Sequence, residues 1–268
     1  MDSDMMDVDM GPIPDPAPSD FQSNRSAIGL GRAPSNNSNR KVQWVAPPTE
    51  NVFTVQDGRW IVGWWGDHDC TPEVVEAFLS RWPPSRTPKA YAAWIAVQRD
   101  PSPHNPLSGV PTPTEAEKDV PGLQNSFDAL LATQDPRALT VSALDELSKR
   151  HNVVVGKWLV FVKSHQADRI WGSIMRYICH ERKVGQAKIA AREDGENLNG
   201  DWERDDHTIC VYVDNYLDLQ EVKRVREGLR KVGITWRIGF KPDAYTYLGI
   251  YARNEWGLRP TRYYDDEL

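Results

Sequence analysis

The sequence predicts an α+β domain, an antiparallel or mixed sheet with amphipathic helices on one face. β-prone aromatic runs such as GRWIVGWW (58–65) and GKWLVFV (156–162) are interrupted by segments whose apolar residues recur at helical spacing. No glycine-rich turn joins a strand to a helix, as a nucleotide-binding doubly wound fold would require. Composition agrees. In 268 residues, 40% are hydrophobic and 26% charged, with 11 Trp, 20 Pro and 3 Cys. That supplies a core and excludes a disulfide-stapled, collagen-like or membrane-bundle chain.

Residues 1–41 combine an acidic start, MDSDMMDVDM, with alternating prolines (Pro12, Pro14, Pro16, Pro18) and a Ser/Asn-rich stretch. They read as a disordered tail. No secretory signal is legible there, and no run approaches the ~20 apolar residues of a membrane span, so a soluble cytoplasmic or nuclear protein is expected. Residues 42–264 read as one domain, interrupted by a proline-rich surface insertion at about 100–123, with 265–268 as an acidic tail.

Within that domain GRWIVGWW is the first strand. TPEVVEAFLSRW (71–82) follows as a helix with Thr71 as N-cap, Pro72 at the first position and an apolar stripe of Val75, Phe78, Leu79 and Trp82. YAAWIAV (91–97) is a second strand. After the insertion, Asp135-Pro136 starts a helix ending near Asn152, with Leu139, Ala143, Leu144 and Leu147 on one side. GKWLVFV, large on both faces, is a central strand. Ser164 caps a helix to about His180 through Ala167, Ile170, Trp171, Ile174 and Ile178. AKIAAR (187–192) and TICVYV (208–213) are strands. Asp218 with Glu221 opens a helix carrying Leu219, Val222, Val225, Leu229 and Val232, and Gly233 stops it. The final alternation places Tyr245, Tyr247, Gly249 and Tyr251 on one side of a strand, with a turn at Arg253-Asn254-Glu255.

The succession VGKWLVFV, a helix holding Ile170-Trp171, GQAKIAAR, ICVYV and a helix ending LRKVGI resembles the second half of the cap-binding translation initiation factor 4E family. The ending KPDAYTYLGIYARNEWGLRPTRY, together with GKWLVFV, resembles more closely the basophilic leukaemia-expressed protein family, an uncharacterised group with a 4E-like fold. The likeness covers about residues 150–264 well and 58–100 weakly. It implies a curved antiparallel sheet with helices on the convex face and a ligand on the concave face. It also implies that Arg192 holds phosphate with Lys188 beside it, and that Trp158 is structural. In cap binders a second stacking Trp precedes that strand. Here LDELSKRHNVVVGKW offers Glu146 but no Phe, Tyr or Trp before Trp158. Without both jaws of the aromatic clamp, conventional cap binding is not expected.

Net charge is −6, yet residues 151–264 hold 19 Lys and Arg against 15 Asp and Glu, a net of +4, leaving 13 against 23 elsewhere, a net of −10. Lys223, Arg224, Arg226, Arg230 and Lys231 read as a solvated helix face. On the presumed concave side Lys188, Arg192, Lys241, Arg253 and Arg259 accompany Tyr245, Tyr247 and Trp256. Basic groups interleaved with aromatics suit RNA or a nucleotide, since phosphates take charge and bases take stacking. Trp64, Trp65, Trp94, Trp202 and Trp256 all stand as possible stacking residues. The alternative is a protein-interaction adaptor whose convex helices hold a partner at Phe78, Leu79 and Trp82. No enzyme is expected. His68-Asp69-Cys70 lacks an orienting group, Asp205, Asp206 and His207 read as solvated turn residues, and no phosphate loop, HExxH or GxSxG occurs. No metal and no cofactor are expected, and three widely spaced cysteines read as reduced thiols.

Overall fold

The computed structural model describes residues 52–54, 60–65, 70–89, 91–99, 118–133, 135, 138–192 and 206–268. The expected tail at 1–41, His68, Asp69, Asp205 and Trp202 lie outside them. Among the described residues eight strands, β1 (Val52–Thr54), β2 (Trp60–Trp65), β3 (Trp94–Arg99), β4 (Gly156–Lys163), β5 (Gly185–Ala190), β6 (Asp206–Val213), β7 (Gly239–Pro242) and β8 (Tyr263–Tyr264), form one sheet. Its order is β1-β2-β3-β5-β6-β4-β7-β8. The fold is α+β as predicted, and its sheet is antiparallel except for one pair. β2 and β3 run parallel, Ile61 opposite Trp94 through Trp65 opposite Gln98. A parallel pair needs a crossover, and helix α1 (Pro72–Arg81), lying between them in sequence, supplies it.

Side chains alternate across the sheet, and one face is apolar. Ile95 and Val97 of β3, Ala187 and Ile189 of β5, Ile209, Val211 and Val213 of β6, Trp158, Val160 and Val162 of β4 and Phe240 of β7 meet the helices in one cluster. From α1 come Val75, Phe78 and Trp82; from α4 (Ser164–Arg176), Ala167, Ile170, Trp171 and Ile174; from α5 (Leu219–Lys231), Val222, Val225 and Leu229. Trp158 is fully buried, stands edge-on to Phe240 at 5.3 Å, and donates its indole N–H to the Val222 carbonyl at 3.2 Å.

The ends of α1 and α5 follow the sequence cues, apart from one side chain of the α5 cap, and the start of α4 does not. Thr71 accepts from the Val74 N–H at 3.4 Å, and Asp218 accepts from the Gln220 and Glu221 N–H groups at 3.0 and 3.3 Å. Gly233, at φ 98°, takes the left-handed conformation that ends α5. Glu221 does not reach back to Asp218, because Arg182 and Arg224 engage its carboxylate. Lys163, not Ser164, holds the N-cap position of α4, and α4 passes into a π-helical turn, Tyr177–Arg182.

A second, smaller apolar cluster holds the largest departures from prediction. Residues Val120–Thr133 form helix α2, so the expected proline-rich insertion stops short of 123. Asp119 accepts from the Gly122 N–H at 2.8 Å, and Pro121 sits in the first turn, where no N–H is required. Helix α3 (Val141–Arg150) starts at Thr140, whose hydroxyl accepts from Ala143. The expected tyrosine strand is instead helix α6 (Asp243–Tyr247) followed by turns, with Arg253 at φ 59°. Leu123, Phe127, Leu144, Leu147, Ala244, Tyr245, Leu248 and Ile250 pack together there.

The last four residues of the sequence are also not a loose acidic tail. The Asp265 carboxylate accepts from Arg226 at 2.6 Å, Arg230 at 3.0 Å and the Ile238 N–H at 3.1 Å, and Leu268 packs on the main core. The Arg226 side chain is 1% exposed, so this member of the expected solvated face is a buried cation.

Candidate lysine and aromatic site on the sheet

The sheet face opposite α1, α4 and α5 carries the residues whose alternation takes them away from the main core. β3 contributes Trp94, Ala96 and Gln98, β5 contributes Gln186, Lys188 and Ala190, and β6 contributes Thr208, Cys210 and Tyr212. β4 adds Lys157, Leu159 and Phe161, and β7 adds Lys241. Register sets Lys157 and Lys241 side by side, with Lys188 two strands away on the same face. Lys188 pairs with Ala96 and Cys210, and Lys157 pairs with Tyr212 on one side and Lys241 on the other.

All three lysines are buried, at 2–7% exposure. Aromatic rings hold each ammonium. Lys188 Nζ lies 4.2 Å from the Trp94 ring centre and 5.9 Å from that of Tyr212. Lys157 Nζ is 5.8 Å from Tyr212 and 3.1 Å from the buried Asp243 carboxylate. Lys241 Nζ stands 3.7 Å over Tyr251. Cations over ring faces gain more where water is excluded, about 2 kcal/mol each. Trp94 is half-buried, and Phe161 is half-exposed at the same face's edge.

Of the residues the sequence singled out, the structure brings Lys188 and Lys241 to this face. Arg192 lies just past β5, its N–H donating to Thr87 and its carbonyl accepting from Lys89. The others are placed differently. Tyr245 is 1% exposed in the second cluster, where burial pushes its phenol up beyond the usual tyrosine range. Tyr247 packs on that cluster with Lys118 over its ring at 5.1 Å, and Trp256 stands edge-on to Phe127 at 5.2 Å. Arg253 occupies an exposed turn, and Arg259 pairs with Glu267 at 2.6 Å. Phe78 and Trp82 are buried in the main core and Leu79 packs against it, so this stripe binds the sheet and α4 rather than offering a partner surface. Asp206 and His207 belong to β6, and His207 is buried. Among the described residues no group of three metal-ligating side chains forms, and no helix is long and apolar enough to cross a membrane.

Lys157 and Tyr212 were not singled out by sequence reasoning. Their signal was present in the strand alternation, since Lys157 precedes the buried Trp158 and must point away from it. Glu146 lines a groove of about 420 Å³ between α2 and α3 with Ser126, Leu130 and Arg150, apart from the lysines.

The central sequence of this architecture, from α2 to the end of α6, can be compared with known proteins. Residues 124–249 match the basophilic leukemia-expressed protein Bles03 family. The Bles03-like region therefore contains β4 to β7, with Lys157, Lys188, Tyr212 and Lys241. Two solved structures of schistosome eIF4E, one complexed with m7GpppA and 4E-BP and one with m7GpppG and 4E-BP, are similar at 14% identity. Each match covers 52% of this chain and 80% of that chain, with TM-scores of 0.29 and 0.30.

Proposed function

We propose that the chain is a binding protein that takes RNA or a nucleotide on the lysine and aromatic face of its sheet, without a two-tryptophan cap clamp. The observation that carries this reading is the row of Lys157, Lys188 and Lys241 interleaved with Trp94, Tyr212 and Tyr251. Asp243 offsets the Lys157 charge, and the Lys188 and Lys241 ammonium groups, each over a ring, supply the positive potential that attracts a polyanion. The half-buried Trp94 and exposed Phe161 offer the π-faces on which a base stacks. Residues 144–157 form α3 and the entry to β4 without a Phe, Tyr or Trp, so the binding expected is not selective for a methylated base.

Titration of the protein with a short single-stranded RNA and with methylated and unmethylated guanine nucleotides tests this, followed by tryptophan fluorescence over a salt series. The expected result is quenching with similar affinity for methylated and unmethylated forms and weakening as salt rises. Lys188→Gln should lower affinity and reduce the salt slope by about one. Absence of binding at low salt sinks the proposal. An adaptor on the convex helices loses the anchors Phe78 and Trp82 to the core, and nothing else in the structure favours it.

A further inference from the structure

The strand-to-helix junction of β4 and α4 holds a pair of side chains that the sheet-face reading does not use. Ser164 Oγ lies 2.8 Å from His207 Nε2, although 43 residues separate them in sequence. His207 Nδ1 lies 2.8 Å from the Ala190 carbonyl oxygen. A carbonyl only accepts, so Nδ1 carries the proton. In the neutral ring Nε2 is then the acceptor, and the Ser164 hydroxyl donates to it. Hydroxyl, imidazole and a third group that fixes the imidazole are thus aligned.

The surroundings fit the same chemistry. His207 is 2% exposed and cannot swing away, whereas Ser164 is half-buried, with His165 and Gln166 exposed beside it. Ser164 is the first residue of α4, a helix of 13 residues, and Lys163 at the N-cap gives it no side-chain hydrogen bond. First-turn N–H groups at a helix start have no partner within the helix and favour negative charge, which is what an oxyanion needs. Unlike the strained serine turn of α/β-hydrolases, this junction has ordinary backbone, with Lys163 at φ −73° and ψ 152°.

We propose that Ser164 and His207 form a nucleophile–base dyad for acyl transfer, acting on small carboxylic esters. Ser164 Oγ attacks the ester carbonyl carbon while its proton passes to His207 Nε2. The bond to the alcohol oxygen breaks and that oxygen takes the proton from Nε2. Water then attacks the acyl carbon, giving its proton to Nε2, the acyl–Oγ bond breaks to release the acid, and Nε2 returns that proton to Ser164 Oγ. Ester and water become acid and alcohol. Ala190 is a positioning residue, through its carbonyl. The dyad lies on the helix side of the sheet, so it stands or falls apart from the lysine face.

The test uses the full chain with a fluorophosphonate probe and with p-nitrophenyl acetate. Expected are a phosphonyl adduct on Ser164, located by mass spectrometry, and ester turnover. Ser164→Ala should abolish both, and His207→Gln should slow both by about a hundredfold or more. Both variants are checked for native circular dichroism. Absence of an adduct on Ser164 in the wild-type protein overturns the proposal whatever the variants do. So does labelling of Ser164 at an unchanged rate in folded His207→Gln.

Discussion

Asp265 concentrates more of the fold's electrostatics than any neighbouring residue. Burial pushes its carboxyl up, but hydrogen bonds from Arg226, the Ile238 N–H and Arg230, with the Arg226 charge, hold it below the ordinary aspartate value. Removing the charge strands a buried guanidinium. Asp265→Asn should therefore cost about 3–5 kcal/mol, read as a lower urea midpoint with an unchanged slope. The pH dependence has a definite sign. A carboxylate with a depressed folded value stabilises fully above its unfolded value and loses that contribution as pH falls through the folded one. The Arg259 hydrogen bond and the Tyr264 N–H act likewise on Glu267, bringing it to about 2, although that pair is exposed and contributes less. Stability should thus decline below about pH 4, and less steeply in Asp265→Asn, in acid titrations followed by circular dichroism.

At the scale of elements, caps and close approaches decide what a substitution does. Asp218→Ala removes the acceptor for two N–H groups of α5 and should cost about 1 kcal/mol in thermal or urea melts. Gly228→Ala should cost more. A Cβ there collides with the Tyr177 hydroxyl, where α5 crosses the π-helical turn, and the buried ring has little room to yield. Helices α1 and α5 were legible in the sequence because each combines a capping residue with several turns of apolar spacing. Helix α6 was not. Five residues span little more than one turn, so Tyr245 and Tyr247 satisfy a strand's alternation as well as a helix, and only packing on α2 decides. Helix α2 was hidden by Val120-Pro121-Gly122, which reads as linker until Asp119 is recognised as the cap and Pro121 as a first-turn residue. For the site, Lys188 and Lys241 were found through the resemblance, which put them on the presumed concave side, and strand alternation relative to Arg192 supported Lys188. Their assembly with Lys157 and Tyr212 depends on β4 lying between β6 and β7, an order no local pattern encodes.

Across the whole molecule, two apolar clusters are tied together through one carboxylate. Asp145 of α3 accepts from the Tyr216 hydroxyl at 2.9 Å and from Arg262 at 2.9 and 3.2 Å, and Tyr216 is buried in the main core. Asp145→Ala should loosen α2, α3 and α6 from the sheet while leaving the sheet intact. Hydrogen exchange should then speed up in 120–150 and 243–250, with β4 and β6 keeping their protection; equal acceleration everywhere would contradict this. The strand order carries a further consequence, for the growing chain. β3 has β2 and α1 behind it in sequence, but its other neighbour is β5, whose Ala190 pairs with Trp94. During synthesis from the N-terminus β3 therefore stays an unpaired edge until nearly a hundred further residues have left the ribosome, and such an edge is a template for wrong partners. The interval in which this protein is most exposed to aggregation is set by its topology, and shielding during that interval falls to whatever meets the nascent chain.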